Sequence, residues 1–187
     1  TYSWVLGDWM KNIPIKDKSV IIQIKETYRT NGNVRGLLLF LLSINTGIKL
    51  VDLLKLTVED VRDKDYISTK DNANSYEYPV NKEIKKLISK FIDGRYDKEF
   101  LFKTRNGKPI DRIRVYREFK EICKSLYLGD GYSVTSWRKT FGYHYYKKYK
   151  DLTFLQWMFN QTSVEETLKY IDVEADFKSK VQVSLGL

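Results

Sequence analysis

The chain has 187 residues, of which 42% are apolar and 14% aromatic, enough for one globular domain with a sizeable core. Its formal net charge of +9 favours polyanionic partners, nucleic acid first and a membrane surface second. The single cysteine, Cys123, excludes an internal disulfide, and no apolar run reaches the roughly 18 residues of a membrane span. We therefore expect a cytoplasmic protein without a signal peptide.

Two helices are predicted in the first third of the chain. The first begins near Lys16, where Asp17 or Ser19 can cap it, and it breaks at residues 31–33. The second covers residues 34–45 and is apolar nearly all round, which is typical of a buried helix.

The middle of the chain changes from helical spacing to β-prone sequence. Leucines and a valine at helical spacing predict a third helix over residues 48–61. Residues 65–69 and 75–80 are short, β-prone and separated by a polar turn, which predicts a hairpin with Pro79 at a strand end.

Helical spacing returns in the second half. Residues 81–94 predict an amphipathic helix stopped by Gly94, and residues 112–129 predict another. Between them, residues 99–110 read as an extended segment that turns at Asn106-Gly107.

Residues 131–173 open with a turn and contain an aromatic, basic helix with Arg138 and a final helix with Tyr170. The fold class that follows is mainly α with a small antiparallel β-sheet, an α+β fold. The only histidine, His144, is interpreted as a packing or surface residue, and no Cys/His/Asp cluster predicts a metal or cofactor.

One boundary, between residues 15 and 16, is predicted to divide the chain into two segments. The chain begins at Thr1 rather than at a methionine, and residues 1–15 contain two tryptophans in an irregular context. We interpret residues 1–15 as a linker or docking segment from a missing N-terminal DNA-binding domain. Residues 16–187 form the main domain.

Five motifs occur in the order TGIKLVDLLKL, STKDNANSYEYPV, LFKTRNGKP, TSWRKTF and FNQTSVEETLKY. In this order and spacing they resemble the catalytic domain of the tyrosine recombinases, the phage integrase family, over roughly residues 16–173. The resemblance implies that family's catalytic-domain fold for this chain.

The resemblance also implies a chemistry. In that family a tyrosine hydroxyl attacks a DNA phosphodiester and forms a 3′-phosphotyrosine, without a metal or cofactor. Two arginines clamp the phosphate, a lysine protonates the leaving oxygen, and histidines move protons. The motifs place the nucleophile at Tyr170, one arginine at Arg138 and the lysine at Lys70.

Three family positions carry other residues. Lys49 stands where the family has its first arginine and lacks the bidentate guanidinium. Thr135 and Gln161 stand at the two histidine positions, and neither titrates near neutral pH. The loss of one charge-stabilising donor costs about 10²–10³ in rate, whereas DNA affinity is spread over many phosphate contacts.

We therefore predict a double-stranded DNA-binding protein of this fold that lacks strand transfer and acts as a phage or mobile-element regulator. The alternative is an active site-specific recombinase, and a basic RNA- or membrane-binding domain would require an accidental match. The expected DNA contacts are Lys49, Lys70, Arg138 and Lys139.

The tail predicts an assembly contact. Apolar residues alternate along residues 181–187 as in a strand, which could join a sheet edge of its own or another subunit. The tail thus predicts a homo-oligomer on DNA, with packing inside one subunit as the alternative.

Overall fold

The computed structural model describes residues 12–71 and 74–174, with side chains for all of these except residues 70, 71, 74 and 75. In this part of the chain the elements are α1 Lys18–Thr30, α2 Val34–Thr46, α3 Leu50–Leu53, β1 Tyr66–Asp71, β2 Asn74–Pro79, α4 Lys82–Phe91, α5 Arg112–Ser125, α6 Thr135–Tyr149, α7 Leu152–Phe159 and α8 Val164–Tyr170. The predicted class, mainly α with one small antiparallel sheet, is confirmed. No described helix is long and apolar enough to cross a membrane.

Side-chain caps fix where the helices begin. The Asp17 carboxylate accepts a hydrogen bond from the Ser19 backbone N–H at 2.7 Å, which starts α1 as the sequence predicts. The Asn33 side chain accepts from the Gly36 N–H at 2.9 Å and starts α2. Each cap satisfies an N–H that has no partner inside its helix.

The core forms around α2, whose apolar sequence is buried as predicted. The fully buried Trp137 ring of α6 packs edge-on against Phe40 of α2 and Phe119 of α5, with centroids 5.5 and 5.1 Å apart. Aromatic pairs in this geometry add to the hydrophobic gain of burial. The α6 turn that carries Arg138 is therefore held by the main hydrophobic core.

The prediction of a third helix over residues 48–61 is wrong. Only one turn, α3, forms there, and the chain then runs beside residues 99–101. Leu56 O accepts from the Leu101 N–H at 2.7 Å, and the Val58 N–H donates to Glu99 O at 2.9 Å. The apolar side chains are buried without a helix, because backbone pairing to another segment satisfies their polar groups.

The hairpin is confirmed, with β1 and β2 antiparallel and Pro79 at the end of its strand. Its ladder extends further than predicted, because Lys70 pairs with Ser75 inside the sheet rather than lying in the turn. The predicted turn at Gly107 is also confirmed, since the Thr104 N–H donates to Lys108 O at 2.7 Å. The extended segment around it forms isolated bridges, Thr57 with Phe100 and Lys103 with Pro109, rather than a strand.

A second, smaller core lies under the last three helices. The short helix α7, which the sequence analysis did not separate, lies between α6 and α8. Leu155 and Phe159 of α7 are buried with Ile171, which follows α8. This cluster fixes the end of α8, where Tyr170 lies, against the helix of Arg138.

Candidate active site

An open pocket of about 460 Å³ lies where α2, α3, α5, α6 and α8 meet. Its lining residues are Ser43, Lys49, Leu50, Val51, Arg112, Ile113, Tyr116, Val134, Thr135, Arg138 and Tyr170. Three of these side chains are cationic, and none of the described lining residues is acidic. The pocket is therefore suited to an anion.

Arg138 is held rigidly in this pocket. Its Nε donates to Gly47 O at 2.8 Å, and its Nη2 donates to Met158 O at 2.9 Å. The guanidinium carbon lies 4.7 Å from the centre of the Phe159 ring, a cation–π contact. Part of the donor set is thus used to fix the group, and the remaining N–H groups are available to a ligand.

Position 47, whose backbone carbonyl anchors Arg138, requires a glycine. It ends α2 with a φ of 71°, a left-handed conformation that favours glycine. A Cβ at this position would lie 2.5 Å from the Phe141 ring and 2.6 Å from the Met158 side chain. The TG pair of the first motif therefore supports the arginine through a backbone carbonyl.

Tyr170 is the last residue of α8, and its side chain faces Arg138. Burial raises the pKa of the Tyr170 hydroxyl above its usual value, and the charge and polar contact of Arg138 only partly offset this. The ring packs on Phe159 at a centroid distance of 4.9 Å. A phenol, rather than a phenolate, therefore faces the arginine at neutral pH.

A close helix approach brings Tyr170 to this position. Gly142 of α6 lies so near the end of α8 that a Cβ would meet the Ile171 side chain at 2.7 Å and the Phe159 ring at 2.8 Å. The missing side chain lets Ile171 enter the second core. Because Tyr170 directly precedes Ile171, this packing places Tyr170 in the pocket lining.

The structure brings four predicted site residues together. Lys49 and Thr135 line the same pocket as Arg138 and Tyr170, and both are exposed at its rim. Lys49 is the N-cap residue of α3, and Thr135 is the first residue of α6.

Two other predicted residues, Lys139 and Gln161, are not part of the pocket lining. Lys139 has its Nζ 5.2 Å from the centre of the Tyr170 ring, and burial lowers its pKa. Gln161 follows α7, and its buried Oε1 has no hydrogen-bond partner in the described part of the chain. Their predicted roles remain predictions.

Lys70 is placed only by its backbone, one ladder pair before the end of β1. The hairpin nevertheless reaches the Arg138 region. Tyr78 on β2 is close enough that the charge of Arg138 favours its ionisation, although burial raises its pKa overall. The role of Lys70 therefore remains a prediction.

Sequence reasoning missed two lining residues, Arg112 and Tyr116, which lie one turn apart on α5. Arg112 makes no salt bridge with any described residue. A cluster of arginines on the first turns of this helix was visible in the sequence, but no motif connected it to the site.

An anchored arginine and a half-buried tyrosine share one cationic pocket beside a β-hairpin, and this arrangement is that of a tyrosine recombinase catalytic domain. The model of the phage integrase family matches residues 14–176, and the chain belongs to that family. The chain is 32% identical over 166 residues to the "Probable integrase/recombinase YoeC" of Bacillus subtilis (strain 168), covering 87% of this chain and 91% of that protein.

Solved recombinases share the fold at low identity. XerA recombinase aligns with a TM-score of 0.71 and 15% identity over 87% of this chain and 60% of that one. A lambda integrase (75–356) dimer bound to a COC′ core site aligns with a TM-score of 0.67 and 16% identity, over 92% of this chain and 64% of that one. The chain thus spans less than two thirds of these solved recombinases.

Proposed function

We propose that this domain binds double-stranded DNA and holds a backbone phosphate in the Arg138 pocket. The observation that carries the proposal is the convergence of Lys49, Arg112 and Arg138 in the lining of one open pocket. An anchored guanidinium can donate two parallel hydrogen bonds to a phosphate, and the neighbouring cations add charge. The overall charge of +9 supports a polyanionic partner.

We further propose that the domain lacks strand transfer and acts as a phage or mobile-element regulator. Lys49 offers a point charge where the family has a forked guanidinium, and Thr135 brings no titratable group to the rim. Gln161, at the other substituted position, does not line the pocket. Phosphate binding tolerates these residues better than proton transfer does.

The first test is the salt dependence of duplex binding. Each neutralised phosphate releases counterions, with a log–log slope of about −0.9 per contact. With two or more such contacts, the association constant should fall about tenfold or more between 50 and 200 mM salt. Fluorescence anisotropy on a labelled duplex measures this, and a flat dependence would contradict the proposal.

Strand cleavage through Tyr170 is the second candidate function. It is favoured by the position of the Tyr170 hydroxyl against Arg138, where an attacking oxygen and a bound phosphate would meet. The name of the Bacillus subtilis relative also fits it. Trapping a covalent protein–DNA species decides between the two candidates.

The assembly proposal concerns residues 179–187, which lie outside the described residues. A strand-like tail that joined a neighbouring subunit would link protomers on DNA. Deletion of residues 179–187 should then convert multimeric complexes on a long duplex to single-subunit complexes. Analytical ultracentrifugation measures this, and an unchanged stoichiometry would favour packing of the tail inside its own subunit.

A further inference from the structure

A strap of four residues, Ile13–Lys16, leads into α1 and lies along α6. The Ile15 N–H donates to Thr140 Oγ1 at 2.8 Å, and His144 Nε2 lies 2.9 Å from Ile15 O, a hydrogen bond in the tautomer that protonates it. The Ile15 side chain is completely buried. Because Thr140 and His144 are one turn apart on α6, the strap is fixed to the helix that carries Arg138.

The last residue of the strap also contacts the end of the Tyr170 helix. Lys16 Nζ lies 2.7 Å from Asp172 O and 2.8 Å from Asp172 Oδ2, across a separation of 156 residues. Asp172 follows Tyr170 by two residues. One ammonium group therefore bonds both the backbone and the side chain of the residue that closes α8.

Asp172 has a backbone conformation that is unfavourable for residues other than glycine. Its φ of 53° is left-handed, a conformation that costs an aspartate more than a glycine. This turn lets the Val173 N–H donate to Leu168 O at 3.0 Å and closes the helix. A cation at a helix C-terminus also interacts favourably with the free carbonyls there. Lys16 supplies that cation from a distant part of the chain.

We infer that Lys16 is a positioning residue for Tyr170, acting through Asp172. The strap joins the helix of Arg138 to the end of the helix of Tyr170, so it adds a second connection between the helices that carry the guanidinium and the phenol. The inference rests on the proposed role of Tyr170 at a DNA phosphate, but the coupling exists without DNA.

The test compares Lys16→Met with Lys18→Met in the free protein. Methionine keeps a long apolar stem and removes only the charge. Lys18 is an equally charged, exposed residue of α1 without a salt bridge to any described residue. Because partly exposed ion pairs are weak, the expected change is modest. Amide exchange across residues 164–173 should become about 3- to 10-fold faster in Lys16→Met and stay unchanged in Lys18→Met.

Two additional variants separate positioning from simple anchoring of the strap. Lys16→Arg keeps the cation and should restore slow exchange. Ile15→Val loosens the buried contact of the strap, so it should raise amide exchange at residues 13, 15 and 16 while leaving the NMR signal of the Tyr170 ring in place. Lys16→Met should change the chemical shift of the Tyr170 ring. The ring signal is assigned by comparison with the spectrum of Tyr170→Phe.

The inference is overturned if Lys16→Met leaves both α8 exchange and the Tyr170 signal as in the parent protein. It is also overturned if Ile15→Val moves the Tyr170 signal equally. Both measurements are made without DNA. If the domain fails to bind duplex DNA, the proposed function is refuted, but these two measurements still test the role of Lys16.

Discussion

Replacing Arg138 with alanine is expected to weaken duplex DNA binding by about 10- to 100-fold, the equivalent of roughly 1.5–3 kcal/mol for a charged hydrogen-bonded contact. The guanidinium is fixed by Gly47 O and Met158 O and opens into a cationic pocket, so its removal takes away the best-ordered donor. The log–log salt slope should also become shallower by about 1, as for one lost phosphate contact.

The control for this prediction is Arg105→Ala, which removes an equal charge from an exposed turn outside the pocket lining. It should change affinity only slightly. Arg138→Lys should bind with intermediate affinity, because an ammonium cannot bond two carbonyls and a phosphate in the same geometry. Thermal unfolding of each variant establishes the folded fraction. Equal losses in Arg138→Ala and Arg105→Ala would refute a specific phosphate site.

Tyr170→Phe is expected to give the sharpest contrast between the two candidate functions. If the domain only binds DNA, loss of the hydroxyl should change affinity by no more than roughly 1 kcal/mol, about fivefold. If it cleaves DNA, a covalent adduct that the parent protein forms should disappear completely, because the nucleophile is gone while binding persists.

The experiment uses a pool of nicked duplexes with randomised sequence around the nick, so that cleavage releases a short strand and traps the adduct. Tyr127→Phe is the control, since Tyr127 is 95% exposed and lies outside the pocket lining. We expect no adduct from the parent protein. A Tyr170-dependent adduct would establish cleavage, and its formation should accelerate as pH rises from 7 to 9, because burial keeps the phenol protonated at neutral pH.

The sequence predicted the helices whose signals are local. Asp17 and Asn33 cap α1 and α2, and the apolar run of α2 becomes the centre of the core. The helix predicted over residues 48–61 failed because residues 99–101 offer its backbone a different set of hydrogen bonds. Such long-range pairing overrides a helical spacing of leucines.

The candidate site was predictable in part. The order of the motifs indicated that Arg138 and Tyr170 meet, and the structure places both in one pocket. The carbonyl anchors of Arg138 and the Lys16–Asp172 contact could not be predicted, because backbone atoms have no sequence signature and the second pair is 156 residues apart. Gln161 was assigned to the site by motif alone, and it does not line the pocket.

The contact at Gly142 makes this site sensitive to a residue that carries no charge and has no side chain to present to DNA. A single carbon–carbon bond is about 1.5 Å long, and even that added length would press on Ile171 and Phe159. The position of the Tyr170 phenol in the pocket thus depends on the absence of a methyl group at position 142. In this domain the position of Tyr170 depends on interhelical spacing, so sequence drift at position 142 would alter the site without changing any of the residues that line it.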